Sequence, residues 1–333
     1  MGYWIAAALA IRVLGFLNVR AAEPPALREL FVSLGYEAIP LKKTEQGHLV
    51  IPARLNGRKT QCTIDSGFTY LAVDASRAGK LPPLDRRDPG LDLPSAAFRQ
   101  TNATWVRIGH LEIGGRRLEH VPVQSVDWRT GNRRDWLTRL VDGRQSFDSE
   151  VVLGADFLRR FHAIIEYQRI PILYLREKTI DAANASRLDL ALTNAGFLPI
   201  RLYHLETLGW VVPATFDGTR VPLLIDTGAS HTLLDDGVVQ QLGIKTHASD
   251  RHIQGVEGRK TRLMTAQFQE AQIGVFTIPR PVVGVADLSA WNLDRTHRSM
   301  FMPRGLVGGT FFSETQSILD CGNQKLWCWP KRR

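Results

Sequence analysis

Alternation of apolar and polar positions begins at His48, runs through Leu49 to Leu55, pauses at Asn56-Gly57 and resumes into Asp65. A period of two is that of a half-buried strand, and Asn-Gly tolerates the left-handed backbone of a tight turn. The segment therefore predicts an antiparallel hairpin ending at a carboxylate. The same outline returns later, with Asp217-Gly218 at the turn and Leu223-Leu224-Ile225 leading into Asp226. Elsewhere the pattern predicts a short helix over Leu27 to Leu34, a hairpin from Thr104 to Val123 around Gly114-Gly115, and a helix from Asp236 to Leu242. Strand pairs are predicted over Ala163 to Leu175 and Ser317 to Trp329. The Pro- and Arg-rich stretch Leu81 to Leu93 reads as a loop, and the polar, Ala- and Asn-rich run Arg176 to Asp189 as a linker.

The two hairpins are copies. From Leu49 to Asp74 every residue has a counterpart 161 positions later without a gap. The identical pairs are Val50/Val211, Pro52/Pro213, Ala53/Ala214, Gly57/Gly218, Ile64/Ile225, Asp65/Asp226, Gly67/Gly228 and Asp74/Asp235. At their centre stand Asp65-Ser66-Gly67 and Asp226-Thr227-Gly228. A single such tripeptide is most simply a turn in which Asp hydrogen-bonds its own backbone. Two in matching frames suggest more, because two carboxylates brought close together cannot both ionise and so share a proton, one acting as base and the other as acid.

With these motifs the chain resembles the aspartic peptidases of the pepsin and retropepsin kind, and Ala229 after the second motif is similar to the retroviral Asp-Thr-Gly-Ala form. That family carries a second signature, two apolar residues and a glycine that thread under the catalytic loop. It is matched here by Val152-Leu153-Gly154 and Leu306-Val307-Gly308. The resemblance implies an all-β fold of two homologous barrel-like lobes with the active site between them. It implies catalysis by Asp65 and Asp226, cross-bonding of the loops by Ser66 and Thr227, and close backbone approach at Gly67 and Gly228. It departs at Phe68, where the family has a small or hydroxyl residue; Phe68 either lines the substrate pocket or crowds the first carboxylate. In the family a mobile flap closes over substrate, and Gly255 and Gly258 are its candidate tip here, against the reading of an ordinary surface turn. The first copy has no such glycine pair near Arg99 to Ala103, so a flap is expected on one side only.

Composition alters this picture little. The formal charge of +9 is concentrated at Arg129 to Arg144 and at the tail Lys331-Arg332-Arg333, without the aromatic or metal-knuckle pattern of a nucleic-acid binder, so it reads as solvated surface. Neither His-Glu-x-x-His nor Cys-x-x-Cys occurs, so no metal or other cofactor is expected. Residues Trp4 to Leu17 form an apolar run interrupted by Arg12, followed by the small-residue pattern Val19-Arg20-Ala21. Residues 1–22 therefore predict an export signal, periplasmic or secreted, with an uncleaved membrane anchor as the second reading. The expected layout continues with a first lobe over 23–175, a linker over 176–191 and a second lobe over 192–333. Insertions at Asp127 to Glu150 and Asp287 to Arg304, with Trp128, Trp136 and Trp291, suit cleft walls or a cover for the lobe junction. Cys62 reads as a small buried hydrophobe. A Cys321–Cys328 bridge is disfavoured because the expected turn sets Cys321 opposite Leu326.

The expected function is hydrolysis of peptide bonds by a water activated between Asp65 and Asp226, acting on an extended polypeptide. One chain supplies both halves, so the active form is expected to be a monomer. Alternatives are a catalytically silent peptide- or envelope-binding module, and an enzyme that processes only its own amino-terminal region.

Overall fold

The computed structural model describes residues 27–45, 47–79, 81–85, 104–126, 149–254, 260–288 and 302–330. Residues 1–22, most of the loop to Leu93, most of both insertions with Trp128, Trp136 and Trp291, and the glycines 255 and 258 lie outside the described residues. The protein is all-β as expected, with short helices at strand ends. Among the described residues, no helix is long and apolar enough to cross a membrane.

In the first half, strands Leu49–Leu55 and Arg58–Ile64 pair antiparallel across Asn56 and Gly57, whose φ values of 49° and 80° are the left-handed pair a two-residue hairpin turn requires. Strand Val151–Leu153 then enters between two others, parallel to Arg58–Ile64 and antiparallel to Ala72–Asp74. Ala72–Asp74 pairs with Arg116–Val126, and that strand with Thr104–Ile113, which returns to the start by setting Ile113 opposite Ala53. Six strands thus close into a ring filled by Ile51, Ile64, Leu111, Val123 and Leu153. Closure leaves no open edge within the ring.

The second half runs the same circuit in two sheets. Pro213 separates Gly209–Val212 from Ala214–Phe216, which pair in different sheets. Leu223–Ile225 lies parallel to Gly305–Val307, which is antiparallel to Leu233–Asp235. The turn at Asp217 and Gly218 repeats the first, with φ values of 46° and 78°.

A fourth, six-stranded sheet joins the halves. Its central pair is Ile164–Glu166 from one half against Ile318–Asp320 from the other, flanked in order by Ile172–Leu175 and Glu37–Pro40 on one side and by Lys325–Cys328 and Leu198–Arg201 on the other. This shared sheet fixes how the two aspartate loops face each other.

Two expectations change. The polar run read as a linker over 176–191 is largely helical: helix Ala182–Asn194 is capped by the Asp181 side chain, which accepts from the Asn184 N–H at 2.8 Å. Its buried Leu188 and Leu192 stand one turn apart and 161 residues after Leu27 and Phe31, which are buried at the first-half helix Arg28–Ser33. All four join one cluster with Tyr174 and Trp327 beside the shared sheet. The duplication therefore begins with a helix, whose two apolar anchors among Ala and Asn are too sparse a stripe to stand out in sequence. The last hairpin also differs in register, with Leu319 opposite Leu326 and Cys321 in the turn. Cys62, Cys321 and Cys328 are all buried free thiols.

Candidate active site

Each aspartate sits where its strand ends and the threaded strand passes beneath. The Asp65 N–H donates to the Leu153 carbonyl at 3.1 Å and the Asp226 N–H to the Val307 carbonyl at 3.0 Å. The chain then turns back on itself. Asp65 Oδ1 accepts from the N–H groups of Gly67 and Phe68 at 3.0 and 3.1 Å, and Asp226 Oδ1 from those of Gly228 and Ala229 at 2.9 and 3.0 Å. Taken singly, each is an Asx turn, the bland reading of the motif.

What lifts them above that reading is how the turns interlock. Thr227 Oγ1 accepts from the Ser66 N–H at 2.9 Å and donates to the Ile64 carbonyl at 2.9 Å. Reciprocally, Ser66 Oγ accepts from the Thr227 N–H at 3.1 Å and donates to the Ile225 carbonyl at 2.7 Å. Four buried bonds therefore tie each loop to the strand that delivers the other. Bonds of this kind contribute about 1 kcal/mol each when made and cost more when one partner is lost. The glycines are equally reciprocal. A Cβ on Gly67 would stand 2.5 Å from Asp226 Cγ, and one on Gly228 would stand 2.6 Å from Asp65 Oδ1. Each loop's glycine makes room for the opposite loop's carboxylate.

Asp65 and Asp226 face each other across the two glycines, close enough for each carboxyl to shift the other's titration. Burial pushes both carboxyls above the ordinary carboxylate range. At Asp65 the neighbouring Asp226 side chain, then the N–H groups of Gly67 and Phe68, oppose the rise. At Asp226 the charge of Asp65 adds to burial, while the N–H groups of Gly228 and Ala229 oppose the rise. Asp226 is 6% exposed and Asp65 half-buried. The pair titrates as a unit and can hold one proton between its oxygens, an arrangement able both to give and to take a proton.

Glycines 154 and 308 complete the floor. A Cβ on Gly154 would meet the Phe68 carbonyl at 2.7 Å, and one on Gly308 the Ala229 carbonyl at 2.8 Å. Those carbonyls accept from the N–H groups of Ala155 and Gly309, each at 2.7 Å. Phe68 thus occupies the same backbone slot as Ala229. Its ring packs against the cluster of Ala72, Val126 and Val152, whereas Ala229 packs against a larger cluster of the second half that includes Leu224 and Leu306. Of the following pair, Tyr70 is buried edge-on against Trp105, and His231 Nδ1 lies 2.9 Å from Thr310 Oγ1. Burial pushes the Cys62 thiol up, which keeps it protonated and inert on its strand.

One contact of the site carries no local sequence signal. The second half's turn at Glu206 to Leu208 reaches the first loop, where Thr69 Oγ1 donates to the Thr207 carbonyl at 2.8 Å. Gly209, with φ of 104°, lets that turn pass the Ser66 carbonyl, which a Cβ would meet at 2.8 Å.

Two other features do not belong to the dyad. A hollow of about 640 Å³ on the first half is lined by Arg54, Lys59, Gln61, Glu112 and Glu150 and shares no residue with it. Carboxylate oxygens of Asp235, Asp236 and Asp287 gather within 4.8 Å of one another, but Asp235 uses its two oxygens to accept from the N–H groups of Gly237 and Leu288.

The fold and site together describe an all-β protein in which two duplicated loops bring their aspartates together. Residues 212–311 match a family described as aspartyl protease. The match spans Asp226-Thr227-Gly228 and Leu306-Val307-Gly308, and it supports an aspartic protease family and a hydrolase of that type. A search of the curated proteins finds no match.

Proposed function

We propose that this chain is an aspartic endopeptidase of the two-half pepsin and retropepsin architecture, with Asp65 and Asp226 as its catalytic residues. The observation that carries the reading is the reciprocal packing of the two loops, each glycine against the opposite carboxyl, held by the bonds of Ser66 and Thr227. In the proposed reaction the ionised carboxylate takes a proton from a water as that water attacks the scissile carbonyl. The protonated partner donates to the carbonyl oxygen. The tetrahedral species then collapses with protonation of the leaving amine, and the pair returns to a single shared proton. The substrate is an extended polypeptide bound as a strand along the cleft between the halves. Each half contributes one aspartate, so a single copy suffices, and no cofactor enters the reaction. Export, directed by residues 1–22, is part of the same proposal.

A silent binding module would require Phe68 to disable the first loop. Against that, the Phe68 N–H binds Asp65 as the Ala229 N–H binds Asp226, and its ring packs beside Ala72, Val126 and Val152. The test is hydrolysis of a denatured protein mixture across pH, with wild type beside Asp65→Asn and Asp226→Asn. Cleavage by wild type, and its loss by about a thousandfold or more in each folded variant, is the expected result. Wild-type rates in either variant, or a wild type that binds a statyl-type inhibitor but cuts nothing, would end the endopeptidase reading.

A further inference from the structure

The hollow of about 640 Å³ on the first half is built on the outer face of the hairpin that delivers Asp65. Its strands pair Pro52 with Gln61 and Arg54 with Lys59, and the neighbouring strand sets Glu112 against the other side of Arg54. Residues two apart on a strand share a face, so these side chains stand opposite to the face from which Ile51, Ala53 and Leu55 enter the core. Thr60 and Glu150 complete the polar lining. From Lys59 the strand runs on for six residues to Asp65, roughly 20 Å at the rise of a strand, so the hollow lies outside the aspartate loops.

Four charged side chains line the hollow, two of each sign, and only the acids are engaged. Glu112 Oε1 lies 3.0 Å from Arg117 Nη1 and 3.6 Å from His110 Nε2. Glu150 Oε1 pairs with Arg77, and its Oε2 accepts from Thr60 Oγ1 at 2.9 Å. Among the described residues, neither Arg54 nor Lys59 is held in an ion pair. Arg54 Nη1 donates to the Gly57 carbonyl at 2.9 Å, which pins the guanidinium beside the turn and leaves the rest of its donor fork available. Like charges directly opposite each other on neighbouring strands destabilise a sheet. The duplicated hairpin folds without them, since the matching pair of the second half is Thr215 and Arg220, with a single cation.

We infer that this hollow is an exosite for an extended peptide bearing carboxylate side chains, one of which bridges Arg54 and Lys59 and relieves their mutual repulsion. Charge-assisted bonds from a guanidinium and an ammonium to one carboxylate are the strong kind, and the fork of Arg54 gives them direction. The other two charges decide what sort of anion fits. A dense polyanion would bring further negative groups against Glu112 and Glu150, whereas a strand spaces the acids on one face roughly 7 Å apart and can set neutral residues beside those carboxylates. The role in capturing substrate rests on the proposed peptidase reading; the binding does not.

The test is fluorescence anisotropy at low salt with a labelled hexapeptide alternating Asp and Ser, added to the full chain carrying Asp226→Asn so that the probe stays intact. The peptide should bind, and one alternating Asn and Ser should not. Arg54→Gln with Lys59→Gln should weaken binding by about tenfold or more. Lys42→Gln with Arg58→Gln removes the same charge from exposed positions outside the hollow and should leave affinity within about twofold. Arg54→Glu with Lys59→Glu should move the preference to a peptide alternating Lys and Ser. Equal binding of the Asp and Asn peptides, undiminished affinity in Arg54→Gln with Lys59→Gln, or no binding at millimolar probe would each overturn the inference. Displacement by polyphosphate as effective as by unlabelled Asp peptide at equal charge would overturn the choice of a peptide. Should the wild type hydrolyse nothing, the peptidase reading fails and these binding outcomes still decide the exosite.

Discussion

The first and second halves hold their aspartates with the same bonds but reach them by different routes. In the first half, Leu49–Leu55 is one strand across Pro52 and the ring closes in a single sheet; in the second, the circuit divides at Pro213. The residue after the glycine is Phe68 in one and Ala229 in the other, yet both donate to their aspartate within 0.1 Å of the same distance, 3.1 against 3.0 Å. What the duplication keeps is the backbone path around each carboxylate. Side chains that face away from the pair are free to diverge. The halves also differ in solvent: Asp65 is half-buried, whereas Asp226 is 6% exposed. A symmetric scaffold therefore holds an asymmetric pair, which suits one proton shared between two acids.

The largest effect expected from breaking this symmetry is at the glycines. Gly67→Ala and Gly228→Ala each thrust a methyl into the opposite carboxylate, so each should abolish hydrolysis and cost about 2–3 kcal/mol in denaturant unfolding. Equal losses from both would support reciprocal packing. A tolerated Gly67→Ala would mean that the more open first loop yields.

A smaller effect separates the halves by pH. Burial pushes Asp156, on the helix after Gly154, up to about 7, and Asp320 in the second half up to about 6. A carboxyl with a raised folded pKa binds more protons folded than unfolded, so stability falls as pH rises from the unfolded value near 4 through the folded one. The dyad, raised in the same direction, adds to this slope. The melting temperature should therefore climb as pH is lowered from about 8 to about 5. Asp156→Asn should flatten the part of that climb nearest neutrality, and a melting temperature that falls steadily over the same interval would contradict the site's electrostatics.

The smallest effect is expected at Phe68. Phe68→Ala copies the second half's residue, keeps the N–H bond to Asp65 and loses contact with Ala72, Val126 and Val152. Stability should drop by about 1 kcal/mol and hydrolysis change by less than about threefold. A gain of tenfold or more would show that the ring obstructs the cleft.

Much of this arrangement was legible in the chain because its signals are local. Asn56-Gly57 and Asp217-Gly218 required left-handed backbone, alternation marked the strands entering Asp65 and Asp226, and the repeat at 161 residues announced that whatever one loop does is done twice. The helix Ala182–Asn194 was missed because two buried leucines among Ala and Asn make a weak stripe, and only packing beside the shared sheet gives them meaning. Register in the last hairpin was misjudged because the turn, not the strands, sets which residues face each other.

By itself the sequence determined the duplicated unit, its strand-borne carboxylates and the glycines where a side chain has no room, since each depends on backbone preference over a few residues. Tertiary structure alone decided that each loop's glycine faces the opposite carboxylate and that Ser66 and Thr227 hold each other's strands. Those contacts join residues far apart in the chain, and their geometry exists only once a strand from each half has paired in the common sheet.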